Sequence, residues 1–487
     1  MAKKVAIIGA GIAGLSVASY LQRNGYDTEI FELHSLPGGL CTSWRRKDYV
    51  FDGCIHWLVG CSPSHPLYHL WNEILDMRSL TFIEWELFTK IFIDNENHLI
   101  IYSNADALGN EFKRYAPEHG GLIDEFVSVF KTVVKLGNNL PKNEEDIALI
   151  KKWETVTMES FVKELQNPIL EKAVDIYLGK IPILGLFRIL APFHQKSAGY
   201  PIGGSLKFSQ AIESRYLELG GKIHYDSRVS KIIAQNDKAC GLILENGEEI
   251  KADLVISAAD GHFTVFKMLE KKYINRQIAS FYDEENPALK PYASLINISL
   301  GVKRTFDKDS PKMVFRATKP IYIDESATAT MIPITIYNFD PTLAPEGHTV
   351  IIGIFDTTNA DYWQDLRRDN SDKYKQEKSR IADEFIDALD DQLGEIKDNV
   401  EVIDVATPDT FIRFTNNWKG SYMGWGWGTS VPVQTQRQLP GLENFYMTGQ
   451  WVSPMGGLPS VLLDGRVTAR MICEKDGKTF DPAFKST

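Results

Sequence analysis

The feature that most limits how this chain can fold is the run Gly9-Ala-Gly-Ile-Ala-Gly14. Lys4-Val-Ala-Ile-Ile8 precedes it and has the unbroken apolar character of a buried strand. A helical pattern follows to about Asn24, with Gly25 as its stop, and Asp27-Thr-Glu-Ile-Phe-Glu32 reads as the next strand, ending on an acid. Each position in such a unit has a physical task. Gly9 permits the tight turn, Gly11 lets the backbone approach a pyrophosphate, Ala13 keeps the first helical turn small, and Gly14 lets the helix close on the strand. The helix start offers unpaired N–H groups and the positive end of its dipole to phosphates. Glu32, with Leu33 beside it, is placed to take the ribose hydroxyls of an adenosine, and its charge disfavours a 2′-phosphate. The unit predicts an α/β fold with a Rossmann-like sheet and a dinucleotide ligand.

Two further segments separate FAD from NAD. Pro37-Gly38-Gly39 follows the acid, then Leu40-Cys41-Thr42 and Phe51-Asp52-Gly53. In flavoproteins of the glutathione-reductase type, a glycine pair here lets the backbone pass the flavin-side phosphate. Near the far end, Asn444-Phe-Tyr-Met-Thr-Gly449 reads as a strand, 450–459 as a loop, and Ser460–Cys473 as a helix with Pro459 at its first turn. Gly456 and Gly457, with Leu458 next, leave the backbone bare where this helix begins. A helix start suits the edge of a flavin that becomes anionic on reduction.

Composition mainly excludes. Among 487 residues there are 53 Lys+Arg against 64 Asp+Glu, a net charge of -11, which speaks against nucleic acid as a partner. The five Cys form no C-x-x-C and no zinc-ligand spacing, which suits a reducing compartment. The N-terminus lacks the longer apolar region of a signal peptide, and no apolar run reaches the ~20 residues of a membrane span. The expected location is cytoplasmic. The most apolar patch, Ile181-Pro-Ile-Leu-Gly-Leu-Phe187 within 178–194, is flanked by Lys180 and Arg188. It reads either as a core helix or as a tunnel mouth or peripheral membrane contact.

These motifs together carry a resemblance. Val5–Leu15, Pro37–Gly39, Phe51-Asp-Gly-Cys-Ile-His-Trp-Leu-Val-Gly60, Tyr200-Pro-Ile-Gly-Gly-Ser205 and Gly449–Arg466 stand in the order found in the phytoene desaturase, carotenoid isomerase and retinol saturase group, within the amine-oxidase-like flavoproteins. The F-D-x-x-I-H segment is most similar to retinol saturases. The resemblance implies FAD and a discontinuous FAD-binding domain of the glutathione-reductase type, built from 1–75, 196–262 and 430–487. It also implies an α+β substrate domain of mixed sheet from 76–195 and 263–429, with a helical insertion near 105–195. Val229 matches a residue that touches adenine through its backbone.

His56 is the candidate catalytic residue: beside the flavin it could orient a substrate hydroxyl or donate a proton, or it could be bonded to backbone as a structural His. Asp52 reads as a loop-fixing carboxylate or a base. Trp57 is a candidate substrate contact; Trp425 and Trp427, in Gly420–Gly428, which the resemblance sets near flavin and substrate, either line an apolar cavity as substrate contacts or serve plain packing. The expected reaction exchanges hydride with a carbon–carbon bond of an apolar polyene or isoprenoid, by saturation, desaturation or isomerisation. No second dinucleotide fingerprint occurs, so the electron donor or acceptor is an unidentified separate partner. A flavin amine oxidase is the alternative enzyme, disfavoured by Leu40 where such enzymes carry Arg. A non-catalytic prenyl-binding protein of the GDP-dissociation-inhibitor type is the alternative outside catalysis.

Overall fold

The computed structural model describes residues 2–94, 96–137, 139–286, 289–306, 310–426, 437–452 and 456–482. Five parallel strands form one sheet in the order Lys222–His224, Asp27–Phe31, Lys4–Ile8, Leu254–Ser257, Phe445–Met447. The alternation of side chains along a strand explains how both faces are covered. Val5 and Ile7 pack with the helices Ile12–Arg23, Gly204–Glu218 and Leu458–Lys475. Ala6 and Ile8 pack against an antiparallel meander of Val229–Gln235, Lys238–Leu244 and Glu249–Lys251. Gly25 ends the first helix with φ of 78°, as its position predicts.

A second sheet of seven strands is mixed, in the order Val400–Ala406, Ser294–Val302, Thr349–Thr357, Ala327–Ile336, Lys312–Asp324, Leu87–Phe92, His98–Tyr102. One face packs on the amphipathic helix Ser371–Leu393 through Ile298, Leu300, Met313, Phe315 and Phe385. The strands Lys312–Asp324 and Val400–Ala406 are not evident in the sequence. The first contains Pro320, and its pairing with Ala327–Ile336 shifts register between Arg316 and Ile321, which breaks the period of two.

Six helices between Ala105 and His194 share a separate apolar cluster with Ile91, Leu99, Ile101 and Val314 of the sheet. The helical patterns read over 105–139 and 157–178 are each divided, because Pro117 and Pro168 start new segments. The helix Glu144–Trp153, capped by Asn143, is an addition. The apolar patch within 178–194 becomes the helix Ile183–His194. Ile183, Leu184, Leu186, Phe187 and Leu190 are spent in the helical core and Phe193 packs on Trp57 and Phe88, leaving Ile189 and Pro182 outward as apolar groups. Of the two readings of this patch, burial favours the core helix over a greasy membrane-facing surface. Among the described residues no helix is long and apolar enough to cross a membrane.

Candidate functional site

The strand Lys4–Ile8 ends in Gly9, whose φ of 97° turns the chain into the helix Ile12–Arg23. A Cβ on Gly14 would stand 2.0 Å from the carbonyl oxygen of Gly9, so only glycine lets the helix close on the strand here. Gly11 caps that helix in extended conformation without a side-chain hydrogen bond. A Cβ there would meet nothing nearer than the Gly38 carbonyl oxygen at 3.9 Å, so the space in front of the helix start is open.

The glycine pair is brought against this turn. Gly38 N donates to the Ala10 carbonyl at 2.9 Å, and Gly11 and Gly38 pair as a parallel bridge. Gly38 has φ of 108°, and a Cβ on Gly39 would lie 3.4 Å from Gly11 Cα. Leu40 follows, partly buried. Glu32 closes the other side. One carboxylate oxygen accepts from Ala10 N at 2.6 Å and the other from His34 N at 2.9 Å. Burial pushes its pKa up, against the backbone N–H groups that hold it down. The acid at the strand end thus braces the glycine turn while keeping lone pairs for a ligand. Leu33 is partly buried next to it. Ser227 N donates to the Glu32 carbonyl at 2.7 Å, which brings the start of the Val229–Gln235 strand to the same corner.

The C-terminal segment completes this edge of the sheet. Thr448 N donates to Ser257 O at 2.9 Å, and Asp464 Oδ2 accepts from Gly449 N at 2.7 Å and Thr448 Oγ1 at 2.8 Å. A Cβ on Gly449 would stand 3.2 Å from Ala13 Cβ. Gly457 caps the helix Leu458–Lys475, again without a side-chain bond and with nothing within 4 Å of an added Cβ. Among the described residues, the two helix starts at Gly11 and Gly457 are therefore bare of side-chain caps.

A buried polar cluster around Asp52 ties the loop 52–55 to Tyr200 and to the start of the helix Gly204–Glu218. Asp52 is 2 % exposed and accepts from Tyr200 Oη at 2.6 Å, Ser205 N at 3.1 Å, Cys54 N at 3.3 Å and Ser205 Oγ. Ser205 Oγ accepts from Ile55 N at 2.8 Å. Burial pushes the Asp52 pKa up. With every contact made to the loop 52–55, the start of Gly204–Glu218, or Tyr200, Asp52 is a loop-fixing carboxylate. Cys54 and Cys61 are both raised in pKa, Cys54 first by its bond to Cys41 and Cys61 by burial, so neither is an activated thiolate.

His56 is exposed to solvent, with Lys312 and other protein groups close around its ring. Burial, then the nearby Lys312 charge, lowers its pKa to about 4. It is neutral near pH 7, so it can orient a hydroxyl but holds no imidazolium proton to give. Trp57 packs against Phe193 at 5.5 Å and Phe88 at 5.8 Å between ring centroids. Trp425, read either as a cavity lining or as packing, is fully buried. Its Nε1 donates to Trp451 O at 3.1 Å and its ring lies 5.0 Å from that of Trp451, within a cluster including Trp418 and Tyr282. Its apolar bulk is used for packing, so burial favours that reading over the cavity lining. Trp427 lies outside the described residues. Tyr200, Trp85 and Lys312 were not singled out from sequence as site residues. Only Tyr200 stood in a quoted motif; Lys312 merely begins a strand.

A match to known proteins spans the chain. It is 25% identical to the chloroplastic prolycopene isomerase of Daucus carota over 98% of this chain and 82% of that one. It is 24% identical to the all-trans-retinol 13,14-reductase of Danio rerio over 91% of this chain and 82% of that one. The fold is similar to that of an oxidoreductase from Methanosarcina mazei, with TM-score 0.59 and 18% identity, covering 96% of this chain and 99% of that one. The model of one family, the flavin containing amine oxidoreductases, matches residues 12–473 and includes both bare helix starts or their immediate neighbours. The glycine pair and the C-terminal helix start fall within the matched residues, and the glycine turn adjoins them: this chain is a member of the flavin containing amine oxidoreductase family.

Proposed function

We propose that this protein is an FAD-dependent oxidoreductase acting on carbon–carbon bonds of an apolar polyene or isoprenoid. The observation that carries this is the convergence of two glycine loops and two uncapped helix starts on one edge of a parallel sheet. That edge lies where the strand order reverses, between Lys4–Ile8 and Leu254–Ser257, the usual place for a dinucleotide. The five-stranded order supports a Rossmann-like domain of the glutathione-reductase type, made of 1–75, 196–262 and 430–487. The remainder, 76–195 and 263–429, is the substrate domain.

In this assignment Gly9, Gly11, Ala13 and Gly14 hold the pyrophosphate on backbone N–H groups. Glu32 and Leu33 meet the ribose, and Val229 meets the adenine through its backbone. Gly38, Gly39 and Leu40 pass the flavin-side phosphate, while Gly449, Gly457 and Leu458 line the ring edge, where the helix dipole favours negative charge. FAD, when bound, supplies reversible hydride exchange with a substrate carbon. The chain's own residues orient and desolvate: neutral His56 accepts or donates a hydrogen bond, and Trp57, Phe88 and Phe193 form an apolar wall. The named activities of the carrot and zebrafish relatives, a polyene isomerase and a retinoid reductase, support a substrate of this class. Electrons come from or go to a separate carrier, a quinone or oxygen.

The test has two parts. Cofactor released from purified protein should be FAD, and the anaerobically reduced protein should be reoxidised by, or isomerise, a conjugated polyene. Protein that stays colourless after incubation with FAD, or that makes peroxide from amines and ignores polyenes, refutes the assignment.

A further inference from the structure

The strand Lys312–Asp324 begins with a lysine that no part of the flavin framework uses. Its Nζ lies 4.7 Å from the ring centroid of Trp57, 5.3 Å from Trp85 and 5.8 Å from Phe88. Three aromatic faces from two separate segments thus hold one ammonium. Among the described residues its single hydrogen bond goes to the His56 carbonyl at 3.3 Å, and no carboxylate pairs with it. An ammonium carries three donors. Trp85 Nε1, in the same cage, is also buried with no acceptor among the described residues. Burial lowers the Lys312 pKa to about 7, so a strong acceptor would favour its charged form.

The next residue on the same face of the strand is Val314, about 7 Å along. It helps line a cavity of ≈ 360 Å³ with Tyr177, Ala329, Met331, Ile354 and Phe355. That volume falls in the range of small-molecule sites. The wall of this cavity is mixed, with Thr328, Thr330 and Asp356 beside Val314, Met331 and Ile354, and Lys312 stands two residues along the strand from it. Because the protein's own cation fills the aromatic cage, a cationic ligand would be repelled there.

We infer that Lys312, held by Trp57, Trp85 and Phe88, is a specificity-determining residue that binds an oxygen function, foremost a carboxylate, at one end of an otherwise apolar ligand. This rests on the polyene assignment above and narrows it to chains with an oxygenated terminus. His56, whose carbonyl anchors Lys312, then sits beside that terminus.

The experiment titrates the oxidised holoenzyme with a retinoid carboxylate, the matching alcohol and the matching hydrocarbon, read by tryptophan quenching and by the flavin absorption band. The wild-type protein should bind the carboxylate at least about tenfold more tightly than the hydrocarbon, with the alcohol between them. Lys312→Met should remove that preference by weakening the carboxylate alone, with flavin content unchanged. Lys312→Gln serves if the Met variant fails to fold, and should weaken the carboxylate similarly. Equal affinity for the three ligands, or a carboxylate affinity unchanged in a folded Lys312 variant, overturns the inference and leaves the polyene assignment standing. Failure of every polyene to bind overturns the polyene assignment itself.

Discussion

The nucleotide edge and the Lys312 cage differ in what their side chains contribute. At the edge, Gly9, Gly11, Gly14 and Gly38 act by lacking a Cβ, and the contacts that matter are between backbones a few ångströms apart. In the cage, Trp57, Trp85 and Phe88 act by bulk, and they meet Lys312 from more than 220 positions away in the chain. In the first arrangement an added atom is refused at Gly14 and Gly38 but enters open space at Gly11. The second is assembled by packing of two sheets and a helical block, and it sets which ligand fits rather than whether the chain folds.

Substitutions that add or remove atoms sharpen this difference. The largest effect is expected for Gly14→Val. The added Cβ would lie 2.0 Å from Gly9 O, forcing the helix off the sheet at a cost of about 3 kcal/mol or more, read as loss of soluble protein or a lowered Tm. Gly11→Val provides the contrast, because its Cβ enters open space. The apoprotein should keep its Tm while flavin affinity falls roughly 100-fold, an interaction change of about 2.7 kcal/mol measured by flavin titration. Equal loss of stability in both variants would break the distinction between a packing glycine and a ligand-approach glycine.

Asp52→Ala should cost about 2–3 kcal/mol, because Tyr200 Oη and Ser205 N lose their buried acceptor. Denaturant unfolding measures it, and a near-neutral result would mean that Asp52 does not fasten the loop 52–55 to the helix Gly204–Glu218. The smallest effect concerns His56. Its ordinary pKa of 6.5 is lowered to about 4 in the folded state, so the unfolded chain binds the proton more readily. Stability from this group is complete above pH 6.5 and is lost as pH falls toward 4. His56→Gln should flatten the decline of Tm across that window; curves with the same slope would show that the surroundings of His56 do not lower its pKa.

The motifs were legible in proportion to how local their chemistry is. The strand, turn and helix from Lys4 to Arg23 follow from glycine spacing and apolar runs within twenty residues. The strand Lys312–Asp324 was not legible, because Pro320 and the register shift obscure its alternation. Trp425 stayed between two readings for a related reason. An aromatic residue between glycines can face a cavity or fill a core, and only its neighbours Trp418, Trp451 and Tyr282 decide which. Cys54 and Asp52 stood beside the flavin loop in sequence, yet burial and the bonds around them make both structural.

The sequence by itself determined that the chain builds a strand, a glycine turn and a helix, and closes that sheet with its own C-terminal segment. Those outcomes depend on backbone freedom and short-range periodicity, which residue identity specifies directly. Only the tertiary structure decided that Asp52 fastens loops, that the 178–194 helix is core, and that Lys312 stands in an aromatic cage. Desolvation, charge and enclosure are properties of surroundings, and those surroundings come from residues distant in the chain.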